Sequence, residues 1–195
     1  MKKMNVGKMV GIALMMAMII VLQYVGGLIP SVSGVSFSLV LIPIVLGAAT
    51  YGVGAGAILG LTFAVITIIN CVNHTDIGGA MVFDSNPVLC VIVVIAKSVF
   101  CGMAAAVVYR AVSKKNSYLA MLCAAIVCPV VNTGIFVACL ALFFNEVLGV
   151  WADGKNLLLY VLDTLLLLNF VPELLINVVF SPAGNRILKA VNRIK

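Results

Sequence analysis

Apolar residues run along this chain in long blocks, and the polar residues gather between the blocks. A membrane-spanning helix needs about 20 mostly apolar residues. The blocks predict six spans, over residues 9–29, 37–51, 54–71, 87–109, 117–144 and 157–187. The second block is short, and Pro43 inside it predicts a tilt or a break. The third is rich in small residues. The last carries Pro172, which lacks a backbone donor and predicts a kink. Gly52 and Gly54 follow Tyr51 and fit a tight turn better than a helix interior. The second and third blocks are therefore read as two helices, and merging them would leave five spans. The expected fold is an all-α membrane protein, a six-transmembrane-helix bundle forming a single domain over residues 1–195.

Charge sets the orientation. Lys2, Lys3 and Lys8 precede the first block, Arg110, Lys114 and Lys115 separate the fourth from the fifth, and Arg186, Lys189, Arg193 and Lys195 close the chain. Asp76, Asp84, Glu146, Asp153 and Lys155 fall on the other side. The positive-inside rule then places both termini in the cytoplasm. The net charge of +6 is a topology signal, because its sources are spread over three short segments and form no nucleic-acid patch. The first block is too long for a signal-peptide core and no small-residue cleavage site ends it, so it is expected to remain as a span.

Composition narrows the function classes. The chain is 64% hydrophobic and 9% charged. It has no GxxxxGK[ST] phosphate loop, so ATP hydrolysis by that route is excluded. The six cysteines, Cys71, Cys90, Cys101, Cys123, Cys128 and Cys139, form no CxxC pair and show no metal-ligand spacing. They are read as small packing residues. His74 is the only histidine and lies in a polar outer segment, where it is read as a loop residue. No GxSxG and no paired acidic motif points to an enzyme, and no cofactor is expected.

Against this apolar background Lys97 and Glu173 stand out, each near the middle of a block. A charge at the bilayer centre costs roughly 2.5–3.5 kcal/mol on insertion scales, so it faces a partner, a cavity or a ligand. Asn169, Glu173 and Asn177 recur at four-residue spacing and form one helical stripe, with Asp163 at its edge. Ser98 adjoins Lys97, and Asn132 and Thr133 follow Pro129 at similar depth. Two readings are open. One is a Lys97–Glu173 ion pair with asparagines bridging helices. The other is a solute pocket where Lys97 meets an anionic group, Glu173 a cation or donor, and the asparagines the rest. The pocket is preferred, because a buried ion pair is a weak stabiliser.

Three outer segments could cover such a pocket: 30–36, 72–86 and 145–156. The second is read as polar and flexible. The third holds Trp151, the only tryptophan. At the other end, Ala13 and Ala17 give the first block a small-residue step, and Gly54, Gly56, Ala57 and Gly60 give the third the same character. Such steps let helices approach closely.

These features together resemble the substrate-binding S components of energy-coupling factor (ECF) vitamin transporters. The segment ALMMA, Ala13 to Ala17, is similar to the alanine motif of that family's first helix. The segment FSLVLIPIVLGAATYGVGAGAILG, Phe37 to Gly60, is similar to its second and third helices, with Val53 where many members carry proline. The polar content of blocks four to six is the third likeness. The resemblance implies capture of a vitamin or related micronutrient from outside, at the multi-pass plasma membrane of a bacterium. It implies partners too: a transmembrane coupling subunit, docked through Ala13 and Ala17, and two ATP-binding-cassette ATPases that do the hydrolysis. It implies a site lined by Lys97, Asn132, Asn169, Glu173 and Asn177, with Asp163 and Trp151 near it and 30–36 as a cap. Lys97 suits a pantothenate-like or folate-like acid. Tyr24, Phe37, Phe136 and Trp151 suit a ring such as riboflavin. The competing expectations are a self-sufficient proton-coupled secondary transporter of a small polar solute, using Glu173 or Asp163, and a structural membrane protein with no ligand.

Overall fold

The computed structural model describes residues 6–27, 39–154, 156–162, 166 and 170–194. These residues are helical wherever they are regular. In chain order the helices are α1 (Val6–Gly27), α2 (Leu41–Tyr51), α3 (Val53–Val72), α4 (Ile77–Ser85), α5 (Pro87–Ser113), α6 (Ser117–Phe143), α7 (Asn145–Ala152), α8 (Leu157–Tyr160) and α9 (Val171–Ile194).

Among the described residues four helices are long and apolar enough to cross a bilayer: α1, α3, α5 and α6. Helix α2 has 11 residues, about 16 Å at 1.5 Å per residue, which falls short of a hydrocarbon core of about 30 Å. It is instead an interior helix, with Leu41 and Pro43–Ala48 all buried. Residues 163–165 and 167–169 of the expected sixth block lie outside the described residues. Helix α8 stops at Tyr160 and α9 starts at Val171, with π-helical backbone at Val161, Leu162, Leu166 and Phe170 between them. Pro172 falls in the first turn of α9, where its missing donor costs nothing. Pro182 is the proline inside α9.

The turn expected after Tyr51 is present. Gly52 has φ +89°, a left-handed backbone that glycine adopts without strain. Its N–H donates to the Ala48 carbonyl, and α3 starts one residue later. Asparagine caps set the other reversals. Asn86 accepts from the Leu89 N–H, with Pro87 at the helix start. Asn116 accepts from the N–H groups of Tyr118 and Leu119.

The segment 72–86, expected as a flexible loop, contains helix α4, and 145–156 contains α7. Gly78, Ala80 and Val82 bury the inner face of α4. Gly79 lets α4 settle directly onto Cys71 Sγ. Trp151 Nε1 donates to Met81 Sδ at 3.2 Å and joins the two short helices. Together they cover one end of α3, α5 and α6 with a second apolar cluster, which includes Val93, Leu140, Phe144 and Leu148.

The tightest crossing joins α3 to α5. A Cβ at Gly56 would collide with the Gly102 carbonyl, one at Gly102 with the Gly56 carbonyl, and one at Gly60 with the Ser98 carbonyl. Small residues at four-residue spacing let the two backbones touch. That contact fixes the register of α3 against α5, and with it the side chains just above the crossing.

Candidate functional site

Just above the glycine crossing, α3 presents Phe63 and α5 presents Lys97. The Lys97 Nζ lies 5.6 Å from the Phe63 ring centroid and 4.8 Å from that of Phe136 on α6. Both distances are within the range of a cation–π contact. Lys97 is ten residues from Pro87, about 15 Å into its helix. Among the described residues no carboxylate oxygen comes within 4.0 Å of it. The Lys97–Glu173 ion pair weighed above is therefore not formed. The ammonium rests between two aromatic faces.

Three buried polar atoms nearby lack a hydrogen-bond partner: Ser98 Oγ, Asn132 Oδ1 and Glu173 Oε1. Ser98 follows Lys97 on α5. Asn132 is one turn from Phe136 on α6, so the two share a face. Glu173 is 4% exposed and Asn132 4%. Lys97 and Glu173 are close enough to act on each other electrostatically, as are Glu173 and Cys128, one turn below Asn132. The α6 face of Cys128, Asn132 and Phe136 thus runs beside Glu173 and Lys97. Leaving a buried acceptor unpaired costs about 1–3 kcal/mol. The three atoms lie on α5, α6 and α9, and α5 also carries Lys97.

The stripe on α9 is longer than expected. Glu173, Asn177, Ser181 and Asn185 recur every four residues and all are buried. Asn177 Nδ2 donates to the Glu173 carbonyl at 2.9 Å. At the far end Ser117 Oγ donates to Asn185 Oδ1 at 2.8 Å, and Tyr109 Oη lies 3.3 Å from Ser117 Oγ. This cluster ties α5, α6 and α9 together at the end that carries Arg110 and Lys114. The sequence reading stopped at Asn177. The unbroken four-residue period was the signal for the rest.

Other expected site residues are placed differently. Trp151 lies in the α4–α7 cap with its N–H on Met81. Tyr24 is 64% exposed. Asp163, Asn169, Phe37 and the segment 30–36 lie outside the described residues. Phe63 was missed altogether, since only the α3–α5 register brings it under Lys97. Ala13 and Ala17 are exposed on α1, on the side opposite buried Met15 and Ile19. His74 Nδ1 lies 3.8 Å from Asp84 Oδ2 at the exposed outer surface. All six cysteines are free thiols.

A multi-pass helical membrane protein with buried polar groups inside the bundle is the class this architecture defines. The sequence model of the family "ECF transporter, substrate-specific component" matches residues 7–183. The chain belongs to that family: it is a substrate-binding transport subunit of an ECF transporter, not an enzyme, and its family implies the ECF module as partner. No curated protein and no solved structure matches it.

Proposed function

We propose that the chain captures a vitamin-class micronutrient bearing an acidic group, and that the Lys97 centre is the binding site. The observation that carries this reading is the juxtaposition of an ammonium that meets no carboxylate among the described residues with unpartnered Asn132 Oδ1 and Glu173 Oε1 at mid-bundle depth. Lys97 takes the ligand's carboxylate or phosphate as a charge-assisted contact. Asn132 and Glu173 accept from hydroxyl, amide or ring N–H donors. Phe136 and Phe63 cover the apolar part of the ligand. A pantothenate-like molecule supplies one acid and several donors in a small volume, so it is preferred over riboflavin and over a folate-like acid. Asn169, Asn177 and Asp163 extend the site along the last stripe, and Trp151 closes it through the α4–α7 cap. The exposed Ala13–Ala17 face of α1 docks the coupling subunit of a bacterial plasma-membrane complex, whose two ATPases drive release inward.

Native mass spectrometry of the purified chain, released from detergent, tests the site. The expected result is one co-purified acid of vitamin size, lost in Lys97→Ala and in Glu173→Ala. A chain that carries no such molecule, and gains no thermal stability from a panel of vitamins, would overturn the proposal.

A further inference from the structure

Two of the six cysteines meet at one end of the α3–α5 pair. These helices run antiparallel, since Gly56 meets Gly102 and Gly60 meets Ser98. Each four-residue step up α3 therefore matches a four-residue step back along α5. The next step sets Ala64 opposite Val94, and both are buried in one cluster with Cys90. Cys71 lies seven residues beyond Ala64, and Cys90 four residues before Val94. Those spacings keep each cysteine on the stripe of its helix that faces the other. The two thiols are close enough to share a hydrogen bond. Cys71 is 1% exposed and Cys90 2%. Helix α4 lies over them: a Cβ at Gly79 would collide with Cys71 Sγ.

By the positive-inside rule this end, which carries Asp76 and Asp84, lies outside the cytoplasm. Disulfides form and persist in such oxidising surroundings. Thiols in hydrogen-bond contact must approach by only about 2 Å to reach the bond length of about 2.05 Å. Cys71 is in the last turn of α3 and Cys90 in the first turn of α5, and helix ends open more readily than helix centres. We propose that Cys71 and Cys90 form a reversible redox staple, closed by exchange with a low-molecular-weight disulfide such as oxidised glutathione. One cysteine sulfur gives up its proton and attacks the S–S bond of the reagent, so that a mixed disulfide forms and one thiol leaves. The second cysteine sulfur attacks the first and displaces the other thiol. The cysteines lose two protons and two electrons, and the two released thiols carry them away. The thiols lie beneath α4, so the opening of that helix sets the rate. The closed staple ties together the two helices that carry Phe63, eight residues before Cys71, and Lys97, seven after Cys90. Cys101 and Cys128 also interact, but they are fully buried at mid-bundle, away from a water-borne reagent. The staple does not depend on what Lys97 binds.

The test uses the full chain in detergent micelles. It is incubated with oxidised glutathione, quenched in acid, unfolded and alkylated with N-ethylmaleimide. By intact-mass spectrometry the expected result is two labels fewer than on the chain kept reduced, whose six cysteines all react. A non-reducing peptide map should join Cys71 to Cys90, and dithiothreitol should restore both labels. Cys71→Ser and Cys90→Ser should each abolish that paired loss. If neither variant folds, the peptide map of the unaltered chain decides. A parallel incubation with diamide, a small membrane-permeant oxidant, reaches the pair beneath α4 as well. Retention of all labels under both reagents, or bridges that leave Cys71 and Cys90 out, would overturn the proposal.

Discussion

The two ends of one polar stripe behave in opposite ways. At one end of α9, Glu173 is 4% exposed and its Oε1 has no partner. Three turns further on, Asn185 is 3% exposed and its Oδ1 accepts from Ser117, which also meets Tyr109. Helix, spacing and burial are the same, and only the partners differ. Depth of burial therefore does not separate a binding group from a structural one. A satisfied polar cluster holds three helices together, whereas at the other end the Glu173 Oε1 acceptor has no partner, as the proposed binding role requires.

The contrast can be broken by substitution. The largest effect is expected for Lys97→Met. It removes one charge-assisted contact, about 1.5–3 kcal/mol, which is roughly 10- to 150-fold in Kd for the co-purified ligand by isothermal titration. The melting temperature should hold or rise, because an unpaired charge leaves the interior. At the other end, Asn185→Leu should cost about 1–3 kcal/mol of stability in thermal denaturation while Kd stays put. Comparable loss of binding in this variant would erase the distinction between the two ends. Phe136→Leu removes one cation–π face, worth about 0.5–2 kcal/mol. Its Kd should weaken less than that of Lys97→Met, and an effect as large would mean the ring itself is the main ligand contact. The smallest change is expected for Asn132→Leu, with about 0.5–1.5 kcal/mol lost in binding. Its stability should be neutral or improved, since the acceptor it deletes has no partner.

Much of this was legible in the sequence, for physical reasons that can be named. Hydrophobic blocks longer than a bilayer is thick announced α1, α3, α5 and α6. The positive-φ turn at Gly52 was announced by glycine itself. Lys97 and Glu173 were visible because a charge inside an apolar block has no cheap alternative. Whether they touch was not visible, because that depends on helix rotation and register. Here the Gly56–Gly102 and Gly60–Ser98 contacts set the register and put Phe63 under Lys97. The short helices α4 and α7 escaped notice because a few buried residues, such as Val82 and Leu148, carry too little periodic signal to stand out in polar sequence. The π-helical backbone before α9 was hidden for the opposite reason: apolar composition continues through it unchanged.

The placement of α1 bears on how the protein is made. Among the described residues this helix touches only α2 and α3, and much of its surface stays outside the bundle. It leaves the ribosome first, yet the helices that hold it do not exist until later. An apolar helix of 22 residues is long enough to span the bilayer on its own, so α1 needs no other helix to stay inserted until α2 and α3 hold it. A chain shortened by residues 1–27 should accordingly still insert and give a monodisperse helical core, as read by circular dichroism and size exclusion. Loss of that core would mean that α1 directs the assembly it was expected only to join.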